Sequence, residues 1–208
     1  MPQTLMLSNG ITVLPLMATT VEYGATLQLR IDPYIIGVGP VEAAINTVRF
    51  LSDLKTQKSL PDYVILLGSA GSTQLAQGDV YQASSVEYRD MDASAIGFEK
   101  GKTPFLDQPA RLTLEPQFSF LPSASLSTGA SIVVGEGFAH TAADMVDMES
   151  YAVKRACQQF DLPLIVLRGI SDGKKELQKF DDWTELLPLL DLKLADALDQ
   201  IFESLIEV

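Results

Sequence analysis

The sequence predicts an α/β fold, a single-domain three-layer sandwich around a mostly parallel central sheet, from three observations. Short apolar runs alternate with stretches of helical period along the whole chain. Two of the runs, Tyr-Val-Ile-Leu-Leu at 63–67 and Leu-Ile-Val-Leu at 164–167, are unbroken, as parallel strands are when both faces are covered. No internal repeat, low-complexity tract or shift of composition marks a linker, so residues 1–208 read as one domain.

Residues 11–16 form the first apolar run, and the small and polar residues 17–22 after it are of the kind that opens a helix. Residues 34–38 are rich in β-formers and end in Gly37-Val38-Gly39-Pro40, after which Ala43, Ala44, Val48, Leu51 and Leu54 recur at helical spacing. The strand at 63–67 runs into Gly68-Ser69-Ala70-Gly71, which reads as a tight turn, and residues 80–88 continue the sheet. From 97 to 122 Pro, Gly and Phe occur without a period, which predicts loop. Residues 131–134 are the next predicted strand, and Met145, Met148, Ala152, Val153, Ala156 and Phe160 trace the apolar stripe of a helix over 144–160. After Pro163 comes the most strand-like run, ending in Arg168-Gly169-Ile170-Ser171-Asp172. Leu186, Leu187, Leu190, Leu194, Leu198, Ile201 and Leu205 place a helix over 183–206, which Pro188 breaks or kinks near its start.

Composition narrows the partners. With 27 acidic against 15 basic residues the formal net charge is -12, so nucleic acid and anionic membranes meet an unfavourable field. Neither a run of about 18 apolar residues nor a secretory leader is present, and the expected location is the cytoplasm. Cys157 and His140 are the only residues of their types, so no internal disulfide and no Cys- or His-based metal cluster is available. His140 reads as a loop residue and Cys157 as helix packing.

In α/β sheets ligands bind at the carboxyl ends of the strands, which directs attention to the residues after each apolar run. Those are Glu22, Ser69 among its glycines, and Arg168, Ser171 and Asp172, with Met148 and Glu149 close to a helix start. Taken singly each has a plain structural reading. Asp172-Gly173 is a turn dipeptide, Glu149 a helix-face residue, and the Gly-rich stretch lacks the lysine of a phosphate-binding loop. Together they form a pattern. Asp147-Met148-Glu149-Ser150-Tyr151-Ala152 followed by Arg168-Gly169-Ile170-Ser171-Asp172 resembles the D/E-M-E-x-x-A and R-x-I-S-D signatures of the 5′-methylthioadenosine/S-adenosylhomocysteine nucleosidases. Gly68-Ser69-Ala70-Gly71, Gly78-Asp79-Val80, Tyr88-Arg89-Asp90-Met91-Asp92-Ala93, and Met17-Ala18 with Glu22 four residues on are similar to further segments of that family.

The resemblance implies a nucleoside phosphorylase-like fold, hydrolysis of the N-glycosidic bond of a purine nucleoside, no cofactor or metal, and a homodimer. It implies Asp172 as general acid to the leaving base, oriented by Ser171, and Glu149 as acceptor of the ribose hydroxyls with Met148 packed on the sugar. Glu22, with Arg168 and Ser69, would position and deprotonate the attacking water. The base is expected beside Ser131 and Ile132, where Ser131 stands in place of the family's stacking phenylalanine, with Phe180 as an aromatic cover. The 5′ substituent is expected against Val38, Pro40 and Phe105 of a second subunit. Two alternatives share these residues: a phosphorylase that uses phosphate instead of water, and a nucleoside-binding or storage protein without chemistry. Glu22 argues against the first because a carboxylate repels phosphate, and the three acids together argue against the second.

Overall fold

Strands form where the apolar runs fall, and their pairing closes the sheet on itself. The computed structural model describes residues 4–174 and 179–207. β1 (Leu5–Met6) lies antiparallel to β2 (Thr12–Met17), which pairs in parallel with β3 (Tyr34–Ile35) and β4 (Tyr63–Gly71). β4 runs parallel to β9 (Leu164–Asp172) and meets β8 (Met145–Asp147) antiparallel at Gly71. β5 (Val80–Tyr88) is antiparallel to β9 and to β6 (Arg111–Thr113), and parallel to β7 (Ser123–Thr128), which in turn is parallel to β8.

The strands β4, β9, β5, β7 and β8 therefore form a ring. Five pairings are parallel and four antiparallel among the described residues, so the predicted three-layer sandwich with a mostly parallel sheet is corrected to a mixed sheet that closes. Part of the cause lies in β4. Its nine residues outrun β2, and a register shift between Ala70 and Gly71 bends its end towards β8.

Helices flank the ring on two sides. α2 (Pro40–Thr56) and α3 (Ser150–Gln158) cover one apolar cluster, and α1 (Ala25–Gln28) and α5 (Leu187–Ile206) cover the other. α2 has Pro40 in its first turn and buries Ala43, Thr47, Leu51 and Leu54 at helical spacing. In α5 Pro188 sits in the first turn, where its missing N–H costs nothing, so the predicted break becomes the boundary with α4 (Phe180–Thr184). β9 is buried at all nine positions, because the helical cluster around α5 lies on one face and the cluster under α3 on the other. Among the described residues no helix is long and apolar enough to cross a membrane.

Several local expectations change. Gly68-Ser69-Ala70-Gly71 is strand, not turn, and Arg168 to Asp172 lies inside β9. Residues 131–134 are not a strand; β7 lies upstream at Ser123–Thr128, in a stretch without large β-formers. The helix predicted over 144–160 is β8 followed by α3, with the break between them at Met148-Glu149. The loop over 97–122 contains only the short edge strand β6. His140 is exposed at the end of a 3-10 turn, and Cys157 is buried in α3, where burial pushes its thiol up to about 12.

Candidate active site

Glu22 ends a 3-10 turn, Thr20–Glu22, that follows β2 and is capped by the Thr19 hydroxyl, which accepts from Val21 N at 3.2 Å. The adjoining helix α1 is clamped from below. Asp191 on α5 accepts Thr26 N at 2.8 Å and Leu27 N at 3.1 Å, closing the start of α1. Gly24 makes this approach possible, since a Cβ there would stand 2.4 Å from the Asp191 carboxyl carbon. The turn bearing Glu22 is thus fixed between β2 and the long C-terminal helix.

Glu22 is buried and reaches across to β4. Its Oε1 accepts both Ser69 N at 2.7 Å and Ser69 Oγ at 2.6 Å. Ser69 Oγ in turn accepts from Trp183 Nε1 at 3.0 Å. The lack of a side chain at Gly68 is a condition of this arrangement: a Cβ would lie 2.4 Å from Arg168 Nη1 and 3.0 Å from Glu22 Oε2. The small residues of the motif serve the close approach of two charged groups to the strand.

A second carboxylate comes from the break before α3. Glu149 is buried, and its Oε1 accepts Gly39 N at 2.9 Å, at the entry to α2. Gly39 adopts φ 91°, a left-handed conformation that aims this N–H at the carboxylate. Burial, with repulsion from Asp147, pushes the Glu149 carboxyl up to about 7, against the pull of Arg168 at 3.7 Å.

The hub behind both acids is Asp147, which the sequence alone did not single out. Its Oδ2 accepts Arg168 Nη2 at 2.5 Å, Ser150 N at 3.0 Å and Ser150 Oγ at 2.5 Å, while Oδ1 accepts Thr128 Oγ1 at 2.5 Å. Asp147 thereby satisfies a free N–H at the start of α3 and the guanidinium of β9 at once. Burial works against the Arg168 charge, but Asp147, Glu149 and Glu22 outweigh it and raise the pKa further.

The third acid, Asp172, ends β9. Ser171 Oγ donates to Asp172 Oδ1 at 2.5 Å, leaving Oδ2 over Gly71, where a Cβ would stand 2.8 Å away. Burial raises the Asp172 carboxyl above its ordinary value in spite of the Ser171 hydrogen bond.

All three carboxylates line one cavity of about 670 Å3. Ser69, Met148, Val38, Ser131, Ile132 and Phe180 line it as well. Arg168 and Ser171 are not part of its lining; Arg168 pairs with Asp147 and Glu149, and Ser171 is hydrogen-bonded to Asp172. Phe105 is not brought in. It is 98% exposed, packed edge-on against Phe98, and within one chain does not touch the cavity. Sequence reasoning also missed Trp183, which shares the wall with Phe180, and Arg89, which donates to the carbonyls of Ser127, Asp147 and Ser131 and so ties the 131–134 segment to the ends of β7 and β8. A signal for Trp183 was present: as the chain's one tryptophan it sits three residues after Phe180, on the same short stretch.

Comparison with known proteins gives concordant results. A model of the phosphorylase superfamily matches residues 133–203. The 5′-methylthioadenosine/S-adenosylhomocysteine nucleosidase of Bacillus subtilis (strain 168) is 33% identical over 189 residues, taking in 80% of this chain and 78% of the relative. The enzyme of the same name from Staphylococcus aureus (strain MRSA252) is 30% identical over 183 residues, 78% of either chain. In fold, the chain is similar to the Neisseria meningitidis 5′-methylthioadenosine/S-adenosylhomocysteine nucleosidase solved with methylthio-immucillin-A, with a TM-score of 0.74 at 23% identity over 92% of this chain and 98% of that one.

Proposed function

The chain belongs to the 5′-methylthioadenosine/S-adenosylhomocysteine nucleosidase family, and from that premise we propose that it hydrolyses the N-glycosidic bond of an adenine nucleoside with a 5′-thio substituent, using Asp172, Glu149 and Glu22 in three separate roles. The observation that carries the reading is the convergence of three buried carboxyls, each in a different environment, on one cavity.

Breaking the bond between the base and C1′ leaves its electron pair on the base and positive charge on the sugar. Asp172 Oδ2 supplies a proton to the five-membered-ring nitrogen of the base, and burial, which raises its pKa, favours the protonated form that this step needs. Glu149 accepts the ribose hydroxyls, and its negative charge, when present, favours the cationic sugar. Water adds to C1′ and gives its proton to Glu22, whose Oε1 is held by Ser69 while Oε2 stays free of it. One proton leaves Asp172 and one arrives at Glu22, and exchange with solvent resets both.

Phosphate is the weaker nucleophile here. Arg168 is engaged by Asp147, and the groups beside the water position are a carboxylate and a hydroxyl. The purified protein is expected to release adenine from 5′-methylthioadenosine at the same rate without and with inorganic phosphate. Dependence on phosphate would assign it to the phosphorylases, and binding without turnover to the storage proteins.

The same reading includes a second copy of the chain. Val41, Ile45 and Val48 are exposed on the outer side of α2, and Val38, Ile132 and Val134, which line the cavity, are exposed as well. A partner covering them would close the end of the site where a 5′ substituent lies. Sedimentation is expected to give twice the 22.6 kDa chain mass, and Ile45→Glu to give the single mass; a wild-type monomer at assay concentration overturns the dimer.

A further inference from the structure

We propose that Trp183 is a positioning residue for the hydrolytic water, acting through Ser69 on Glu22, an inference that rests on the water-activating role given to Glu22 above. The serine hydroxyl has one proton and two acceptor sites, whereas the indole N–H is a donor only. Because Trp183 Nε1 donates to Ser69 Oγ at 3.0 Å, the hydroxyl proton cannot be directed at the indole and goes to Glu22 Oε1, 2.6 Å away. The order Trp183 to Ser69 to Glu22 is therefore fixed in direction. With Ser69 N also donating to Oε1, that oxygen is saturated and Oε2 is the one left to receive a proton from water. The indole is itself held in place, edge-on to Phe180 and packed against the apolar cluster under α5. The short helix α4 thus places Phe180 and Trp183 on the cavity wall, and Trp183 also sets the orientation of Glu22 through Ser69.

The test compares hydrolysis of 5′-methylthioadenosine by Trp183→Phe, which keeps an aromatic ring and removes the N–H, with Ser69→Ala and the double variant. Trp183→Phe is expected to lower kcat about tenfold, the kinetic equivalent of one hydrogen bond, with KM within about twofold. The double variant is expected to be no slower than Ser69→Ala alone, because both remove the same chain. An unchanged kcat, a change confined to KM, or effects that multiply overturn the proposal. Glu22→Gln separates this failure from that of its premise: if that variant keeps its activity, the reading of Glu22 is wrong, and if it is inactive while Trp183→Phe is unaffected, only the role of Trp183 is wrong. A readout independent of turnover, and of whether Trp183→Phe folds, is the emission of the lone tryptophan. Loss of its hydrogen bond in Ser69→Ala is expected to move the emission maximum, and identical spectra overturn the proposal.

Discussion

Substitution Asp172→Asn is expected to leave nucleoside binding within a few-fold of the parent while lowering kcat by about 10²- to 10⁴-fold, the usual contribution of a positioned general acid. The amide keeps the size of the carboxyl and can still donate a hydrogen bond to a ring nitrogen, but it has no proton to give. Its neighbour Ser171 continues to orient it from the side of Oδ1, so the loss falls on chemistry rather than on packing. The pH profile carries the same information. Asp172 must be protonated to act, and burial has raised its pKa, so kcat/KM falls as pH climbs through that raised value. In the proposed roles Glu149 acts as the anion, and burial with repulsion from Asp147 pushes its carboxyl up to about 7, so its limb is expected to rise with pH. In Asp172→Asn the falling limb is expected to disappear from the residual rate while the rising one stays. Near-parental release of adenine by this variant, measured in single-turnover assays, contradicts the assignment of the acid.

How much of the site is readable from the sequence depends on whether a residue's role is local. Glu22, Ser69, Glu149 and Asp172 are legible because each stands at or near the end of an apolar run or at a helix start, where α/β folds put their ligands. Gly68-Ser69-Ala70-Gly71 reads as a turn, and is strand, for a physical reason. Glycine and serine disfavour strands locally, yet here Gly68 leaves room for the Arg168 and Glu22 groups and Gly71 for the Asp172 carboxyl, a requirement visible only once β9 and the Glu22 turn lie beside β4. Met145 and Met148 fall on a helical stripe with Ala152 and Phe160, but Asp147 caps Ser150 and stops the helix from extending back to them. In the opposite sense, Ile132, Val133 and Val134 have high strand propensity and form no strand. They line the cavity, and Ile132 and Val134 are exposed. Closure of the sheet is not legible, since in Ser123–Thr128 only Ala124 and Leu126 alternate with serines, too short and weak a pattern to announce β7, and the antiparallel pairing of β8 with β4 is a single residue pair.

The role of Asp147 belongs to the same class of hidden feature, and it makes Arg168→Met the substitution with the largest expected effect on stability. Arg168 is 1% exposed and stands between Asp147 and Glu149, both buried, so its removal leaves two carboxyls facing one another without a cation. Methionine fills much of the volume and has no charge, which isolates the electrostatic loss from a cavity effect. Breaking a buried pair in this way costs about 3–5 kcal/mol. The cost has a pH dependence whose sign is set by Glu149. Its carboxyl is already raised to about 7 by burial and by Asp147, and without the guanidinium it rises further. A group whose folded pKa exceeds its unfolded value gives stability that is present while it is protonated and lost as pH climbs through the folded pKa. The variant is therefore expected to sit closest to the parent at about pH 5.5 and furthest from it at about pH 8, in urea unfolding followed at both. A loss that is equal at both pH values places the damage in packing. A loss below about 1 kcal/mol at the higher pH means that the Glu149 carboxylate is stabilised without help from Arg168, and overturns the expectation that this arginine favours its charged form.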